Sequence, residues 1–144
     1  MHEDNIACFP IWFAKVRKAL QRRQMGILKP YGLSSMHAMY LVILSHDENG
    51  MTFRELNEKL FVDKANTSRA ITTLEKKGYV RKENLGNSVL KARILLTDAG
   101  KSIAQLVAKD MKSTRDKLIG TLSKEEIKSV REVMYKISKA ADDI

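Results

Sequence analysis

Apolar residues recur at helical spacing in most of the chain. Over 9–28 they return mainly every three or four residues while Lys and Arg take other faces, which predicts an amphipathic first helix. Pro10 is acceptable in its first turn, and Pro30-Tyr31-Gly32 ends it. Ser34 is a candidate N-cap for a second helix, Ser35 to His46.

Two short helices with a tight connection are predicted next. Thr52 and Glu55 form the pattern of a capping box, which marks the start of a third helix. After a break of three residues, Asp63 can cap a fourth helix over 64–77, and Gly78 supplies its C-terminal stop. Two short helices joined so closely predict a helix-turn-helix.

Beyond Gly78 the pattern changes from helical to extended. The runs 79–83 and 92–96 are short and rich in β-branched or large apolar residues, which predicts a β-hairpin. Thr97 is placed to cap a fifth helix, and a second capping box at Ser123 begins a sixth. The expected fold is mainly α with a small β-hairpin, a winged helix-turn-helix with N- and C-terminal dimerisation helices.

The terminal helices have apolar stripes that a small winged domain does not need. In the sixth helix the stripe alternates steps of three and four, as in a coiled coil, through Ile127, Val130, Met134, Ile137, Ala141 and Ile144. Packing between subunits would bury such stripes, so we expect a homodimer built from the first, fifth and sixth helices. The predicted division is an N-terminal dimerisation helix at 1–32, a winged helix-turn-helix domain at 33–100 and C-terminal dimerisation helices at 101–144.

Basic charge is concentrated in the middle of the chain. The 144 residues carry 26 Lys and Arg against 17 Asp and Glu, a formal net charge of +9 that suggests a polyanionic partner. Residues 63–93 contain eight basic and three acidic residues, so +5 of this excess lies there. That concentration favours a nucleic acid over a membrane surface.

The fourth helix has the residue types that read DNA. If Ala70, Ile71 and Leu74 face the core, polar residues occupy the outer and flanking surfaces. Arg and Asn form paired hydrogen bonds with guanine and adenine, and Thr contacts a thymine methyl or a phosphate. The predicted DNA contacts are Lys64, Asn66, Thr67, Ser68, Arg69, Thr73 and Lys76, with Arg81, Lys91 and Arg93 on the hairpin.

Five short motifs carry a family resemblance over nearly the whole chain. They are LS at 33–34, FREL at 53–56, VDKANTSR at 62–69, LEKKGYV at 74–80 and LTDAG at 96–100. Together they resemble the MarR family of winged helix-turn-helix transcriptional regulators. The resemblance implies a dimer on a pseudo-palindromic operator of double-stranded DNA, with the fourth helix in the major groove and the hairpin as wing. It also implies release of DNA on binding a small phenolic or anionic ligand. One departure is that Ser88 and Val89 stand where the family's wing usually has an Asp-Arg pair.

The same resemblance suggests where ligands act. Apolar and aromatic residues that we first interpret as core also correspond to the family's ligand pocket, with Arg17 as an anion partner: Trp12, Phe13, Met36, Met39 and Tyr40. Cys8 resembles the reactive cysteine of the peroxide-sensing branch, with Tyr31 and Tyr40 as candidate sensing tyrosines. A small cysteine in apolar surroundings is the plainer alternative.

Other chemistry is not expected. His2, His37 and His46 lack the spacing of a metal site, so no metal is predicted. We find no catalytic motif, phosphate loop or cofactor signature, and predict a protein that is not an enzyme. We expect no secretion signal or membrane span, and hence a cytoplasmic location. The leading hypothesis is a ligand-responsive repressor. Redox sensing through Cys8 and a winged-helix protein-interaction module are the alternatives.

Overall fold

The computed structural model describes residues 9–84 and 91–144. In that part of the chain, six α-helices flank a two-stranded antiparallel hairpin. The elements are α1 Phe9–Leu28, α2 Ser35–Ser45, α3 Phe53–Leu60, α4 Lys64–Lys76, β1 Val80–Asn84, β2 Ala92–Leu96, α5 Asp98–Ile119 and α6 Lys124–Ala141. The predicted fold class, mainly α with a small hairpin, is confirmed.

Local capping chemistry sets the helix starts. The side chains of Thr52, Asp63 and Ser123 accept the backbone N–H three residues further on, at 3.2, 2.7 and 3.1 Å. Each bond satisfies a donor that a helix start otherwise leaves without an intrahelical partner. These three predicted N-caps are confirmed, and so is Thr97, whose Oγ1 accepts the Gly100 N–H at 3.2 Å.

Gly78 ends α4 as predicted, in a left-handed conformation with φ of 78°. Its N–H donates to the carbonyl of Glu75 at 3.0 Å, and the N–H of Tyr79 donates to the carbonyl of Leu74 at 2.9 Å. These two bonds form a Schellman motif, whose αL position glycine adopts without a Cβ penalty. The chain is thereby turned from α4 into β1.

The chain divides into two compact units, Met1–Asp110 and Met111–Ile144. The first contains α1 to α4, the hairpin and the start of α5, and its largest fully buried side chains include Leu28, Tyr40, Leu41, Leu56, Ile71, Leu74, Ile94 and Val107. The second contains the end of α5 and α6, and α6 has no buried residue. The three-part division expected from the sequence stays a prediction.

Met51 adds a bridge to the hairpin that the sequence did not predict. Its N–H donates to the carbonyl of Ile94 at 3.0 Å, and the N–H of Ile94 donates back at 2.8 Å. The preceding Gly50 has φ of 74°, and a Cβ there would lie 2.6 Å from the Ile94 carbonyl oxygen. This close approach therefore requires glycine, and it holds the segment before α3 against the wing.

Candidate functional site

The outer face of α4 is polar and basic. Ala70, Ile71 and Leu74 are fully buried, as predicted, so they fix which side of the helix faces the core. The residues exposed on the opposite and flanking sides are Lys64, Ala65, Ser68, Arg69, Thr72, Glu75 and Lys76. Within 9–84 and 91–144, Lys64, Arg69 and Lys76 form no ion pair with a carboxylate. Three cations are therefore available to an anionic partner.

Thr67 is not on this outer face, which corrects the sequence prediction. It is fully buried, and its Oγ1 lies 3.0 Å from the hydroxyl of Tyr40. At 100° per residue, position 67 is three, four and seven residues from Ala70, Ile71 and Leu74, which is the phase of the core stripe. The polar side chain suggested an outward position, but the hydroxyl is satisfied inside the protein.

Thr72 was missed from the sequence although it is exposed in the middle of the outer face. It lies four residues after Ser68 and three after Arg69, so helical phase alone would have found it. Thr73, which was predicted, is half-buried at the edge of the face.

Asn66 and Arg69 form a pair along α4. Asn66 is half-buried, and its Oδ1 accepts a hydrogen bond from Nη2 of the exposed Arg69. The two residues are one turn apart, so the bond orients the guanidinium beside the helix. Both residues remain candidates for base contacts.

The basic residues of the hairpin differ in the hydrogen bonds and ion pairs that they form within the chain. Arg93 is half-buried, donating from Nε to the Asn49 carbonyl at 3.0 Å and lying 3.9 Å from Glu55. Arg81 is exposed, 3.6 Å from Glu83, and Lys91 is exposed. Arg93 therefore supports the packing of the wing. Ser88 and Val89 lie outside the described residues.

A cavity of about 760 Å³ lies beside α4. Its walls come from α1, α2, the end of α3 and the link to α4, and Asn66 is its one α4 residue among those described. Four of the predicted ligand residues line it: Arg17, Met36, Met39 and Tyr40. Trp12 and Phe13 do not, because they are exposed on α1 at least one turn before the part of the helix, Arg17 to Gln24, that the cavity reaches.

Several cavity residues could not be selected from the sequence. Lys59 and Leu60 at the end of α3 line it, and so does Phe61, which is 86% exposed and has φ of 54°. A bulky residue in this left-handed region is unusual. Burial of the ring does not explain this conformation, because the ring is exposed and lies on the wall of the cavity.

His37 is buried at the start of α2. Its Nδ1 accepts the Ser34 N–H at 3.0 Å, and its Nε2 has no partner in the described part of the chain. Burial lowers the pKa of His37 below 6.5, and the nearby Lys77 lowers this pKa further. Among the described residues no group of three His, Cys, Asp or Glu side chains could hold a metal. His2 and Cys8 lie outside them.

The order of elements, with helix-turn-helix α3 and α4 followed by a hairpin, defines a winged helix-turn-helix domain. Residues 31–87 match the model of the MarR family. The match covers about two fifths of the chain and includes α2, α3, α4 and β1. The family and the relatives that follow are transcription regulators rather than enzymes, in line with the sequence expectation.

The chain is also similar to two proteins that are named as transcriptional regulators. The HTH-type transcriptional regulator BilQ of Clostridioides difficile is 32% identical over 76 residues, which span 53% of this chain and 51% of that protein. The chain thus spans about half the length of this relative. An uncharacterized HTH-type transcriptional regulator of Bacillus cereus is 29% identical over 144 aligned positions, covering 96% and 94%.

A solved structure shows the same fold. It is a MarR-family regulator from Listeria monocytogenes complexed with 26mer DNA, with a TM-score of 0.81, 24% identity, and coverage of 91% of this chain and 87% of that one. In the described residues of this protein, no helix is both long and apolar enough to cross a membrane.

Proposed function

We propose that this protein is a sequence-specific DNA-binding transcriptional regulator, a repressor, that places α4 in the major groove. The observation that carries the proposal is the outer face of α4, where Arg69, Thr72 and Lys76 are exposed and the cations have no carboxylate partner among the described residues. Such a face offers base-reading and phosphate-binding groups together. The DNA-bound Listeria structure supports this use of the fold.

The active form in this proposal is a homodimer. Large apolar side chains are exposed on α1 at Ile11, Trp12, Phe13 and Val16, and on α6 at Val130, Val133, Met134 and Tyr135. A second copy of the chain would bury such stripes. A two-fold dimer would place two α4 helices about 34–36 Å apart, matching successive turns of a pseudo-palindromic operator.

The cavity beside α4 is the proposed effector site. Apolar walls from Met36, Met39 and Phe61 suit an aromatic ring, and Arg17 and Lys59 supply positive charge. A small aromatic carboxylate fits both features. Its binding lowers DNA affinity in this proposal.

The test is selection of bound duplexes from a random pool, followed by titration of the selected duplex and a scrambled one at several salt concentrations. We expect the selected duplex to bind at least about 10³-fold more tightly. Equal affinities for both duplexes would instead favour a winged-helix module that binds an acidic protein.

Benzoate, added to the preformed complex, tests the effector site. Peroxide treatment, with Cys8→Ser as control, tests the redox alternative.

A further inference from the structure

Asn66 belongs both to the cavity and to the outer face of α4. It lines the cavity, and its Oδ1 accepts the hydrogen bond of Arg69 Nη2. Every other described cavity residue comes from α1, α2, α3 or the link before α4. Asn66 is therefore the one described side chain through which a cavity occupant touches α4 directly.

The backbone around Asn66 is anchored on both sides. The N–H of Asn66 donates to the Asp63 carboxylate at 2.7 Å. The next residue, Thr67, is fully buried and bonded to the Tyr40 hydroxyl. Because these bonds oppose a shift of the first turn of α4, the part of this region free to respond is the Asn66 side chain.

The chemistry of a carboxamide fits such a response. Its oxygen accepts hydrogen bonds, which suits the Arg69 guanidinium, and its NH₂ group donates them, which suits an anion. Arg17 and Lys59 line the same cavity and would hold a carboxylate there. Rotation that brings the NH₂ group to this carboxylate draws Oδ1 away from Arg69.

We propose that Asn66 is the positioning residue that couples effector binding to DNA reading. Without an effector it orients Arg69 towards the bases. When a small aromatic carboxylate binds in the cavity, the Asn66 carboxamide donates a hydrogen bond to it. The Arg69 guanidinium then loses its hydrogen bond to Asn66. This inference rests on the proposed function, because it assumes that α4 reads DNA and that the cavity binds an anion.

The experiment measures the affinity of the selected duplex with and without benzoate for wild type, Asn66→Ala and Asn66→Asp. Asn66→Ala should weaken DNA binding about three- to tenfold, because Arg69 loses a charge-assisted bond on a partly exposed surface, and the remaining affinity should no longer respond to benzoate. Asn66→Asp keeps an acceptor for Arg69 but has no donor for an anion, so it should still bind the duplex yet not respond.

Two controls separate coupling from other effects. In the Arg69→Ala background, Asn66→Ala should cause little further loss, since its action runs through Arg69. Ser102→Ala changes an exposed residue of α5 that does not line the cavity and should preserve the benzoate response. Circular dichroism checks that each variant is folded.

The outcomes distinguish this inference from the proposed function. If wild type has no preference for the selected duplex, the proposed function fails. If wild type binds and responds to benzoate while Asn66→Ala and Asn66→Asp respond to the same extent, the coupling role of Asn66 is overturned. The coupling role is supported if Asn66→Ala and Asn66→Asp both still prefer the selected duplex and both no longer respond to benzoate.

Discussion

Tyr40 and Thr67 bring two hydroxyl groups into the centre of the first unit, where each satisfies the other. Both residues are at most 2% exposed, and the oxygens are 3.0 Å apart. An unpaired hydroxyl in such a place would cost free energy because it has given up water without gaining a partner. The pair joins α2 to α4 at the level of the cavity.

A double-mutant cycle tests the value of this pair. Tyr40→Phe and Thr67→Val each leave one buried hydroxyl without its partner, so each should lower the free energy of unfolding by about 1–3 kcal/mol. The double variant should lose less than the sum of the two, because both polar groups are then absent. Urea denaturation measures all four proteins; strictly additive losses would show that the hydroxyls are independent.

Phe61 offers a second test at the scale of one residue. Its φ of 54° is unfavourable for a side chain with a Cβ. Phe61→Gly should therefore raise the free energy of unfolding by about 1 kcal/mol, while removing an aromatic wall of the cavity should weaken benzoate binding. Thermal unfolding and isothermal calorimetry give the two quantities.

Phe61→Ala is the matched control for this prediction. It removes the ring and keeps a Cβ at the strained position, so it should weaken benzoate binding without the gain in stability. Equal stability of the Gly and Ala variants would mean that the left-handed conformation is not costly here.

At the scale of the elements, we expect the start of α2 to make the stability of the protein depend on pH. His37 accepts the Ser34 N–H, and its pKa is lowered by burial and by Lys77. The folded protein thus favours the neutral ring, whereas the unfolded chain protonates it below about pH 6.5. Stability should be unaffected by His37 above that pH and should fall as the pH decreases from it towards the lowered pKa.

Urea denaturation between about pH 7.5 and about pH 5.5 measures this loss. In His37→Gln, which keeps an acceptor for the Ser34 N–H but does not titrate, the dependence on pH should be reduced. His46→Gln changes an exposed histidine, and this variant should keep the pH dependence of the wild type. The same slope in His37→Gln and wild type would exclude His37 as its origin.

For α4, different residues should alter different aspects of DNA binding. Arg69→Ala should cost about 1–3 kcal/mol on the selected duplex and relax its sequence preference, since it would remove a base contact. Lys76→Ala should weaken binding to all duplexes and reduce the salt slope by about one, since it would remove a phosphate contact. Anisotropy titrations over a range of salt separate the two; a uniform loss for Arg69→Ala would assign it to the backbone instead.

At the scale of the whole molecule, the exposed apolar stripe of α6 allows the proposed homodimer to be tested. Val130 and Met134 are 47% and 39% exposed, so a glutamate at either position keeps contact with water in the single chain but would be buried in a dimer. Val130→Glu with Met134→Glu should give a folded monomer with much weaker DNA binding, as sedimentation velocity and anisotropy would show. Lys136→Glu, at an exposed position on the opposite side of α6, is the control for the change in charge. A dimeric double variant would contradict the proposed interface.

Some features of this protein follow from interactions between close neighbours in the chain. The caps at Thr52, Asp63 and Ser123 and the stop at Gly78 each depend on bonds within a few residues. The clustering of basic charge between 63 and 93 is likewise a property of the sequence. For these reasons the helix starts, the hairpin and the polyanion hypothesis could be derived without a structure.

Other features required the tertiary structure because their partners are distant in sequence. Thr67 is 27 residues from Tyr40, and only packing shows that this hydroxyl belongs to the core. The cavity likewise combines residues of four helices and the αL residue Phe61, which no local pattern brings together. The sequence by itself determined which segments are helical and where basic charge lies. The tertiary structure decided which polar side chains face outward, since that depends on whether the core offers them a hydrogen-bond partner.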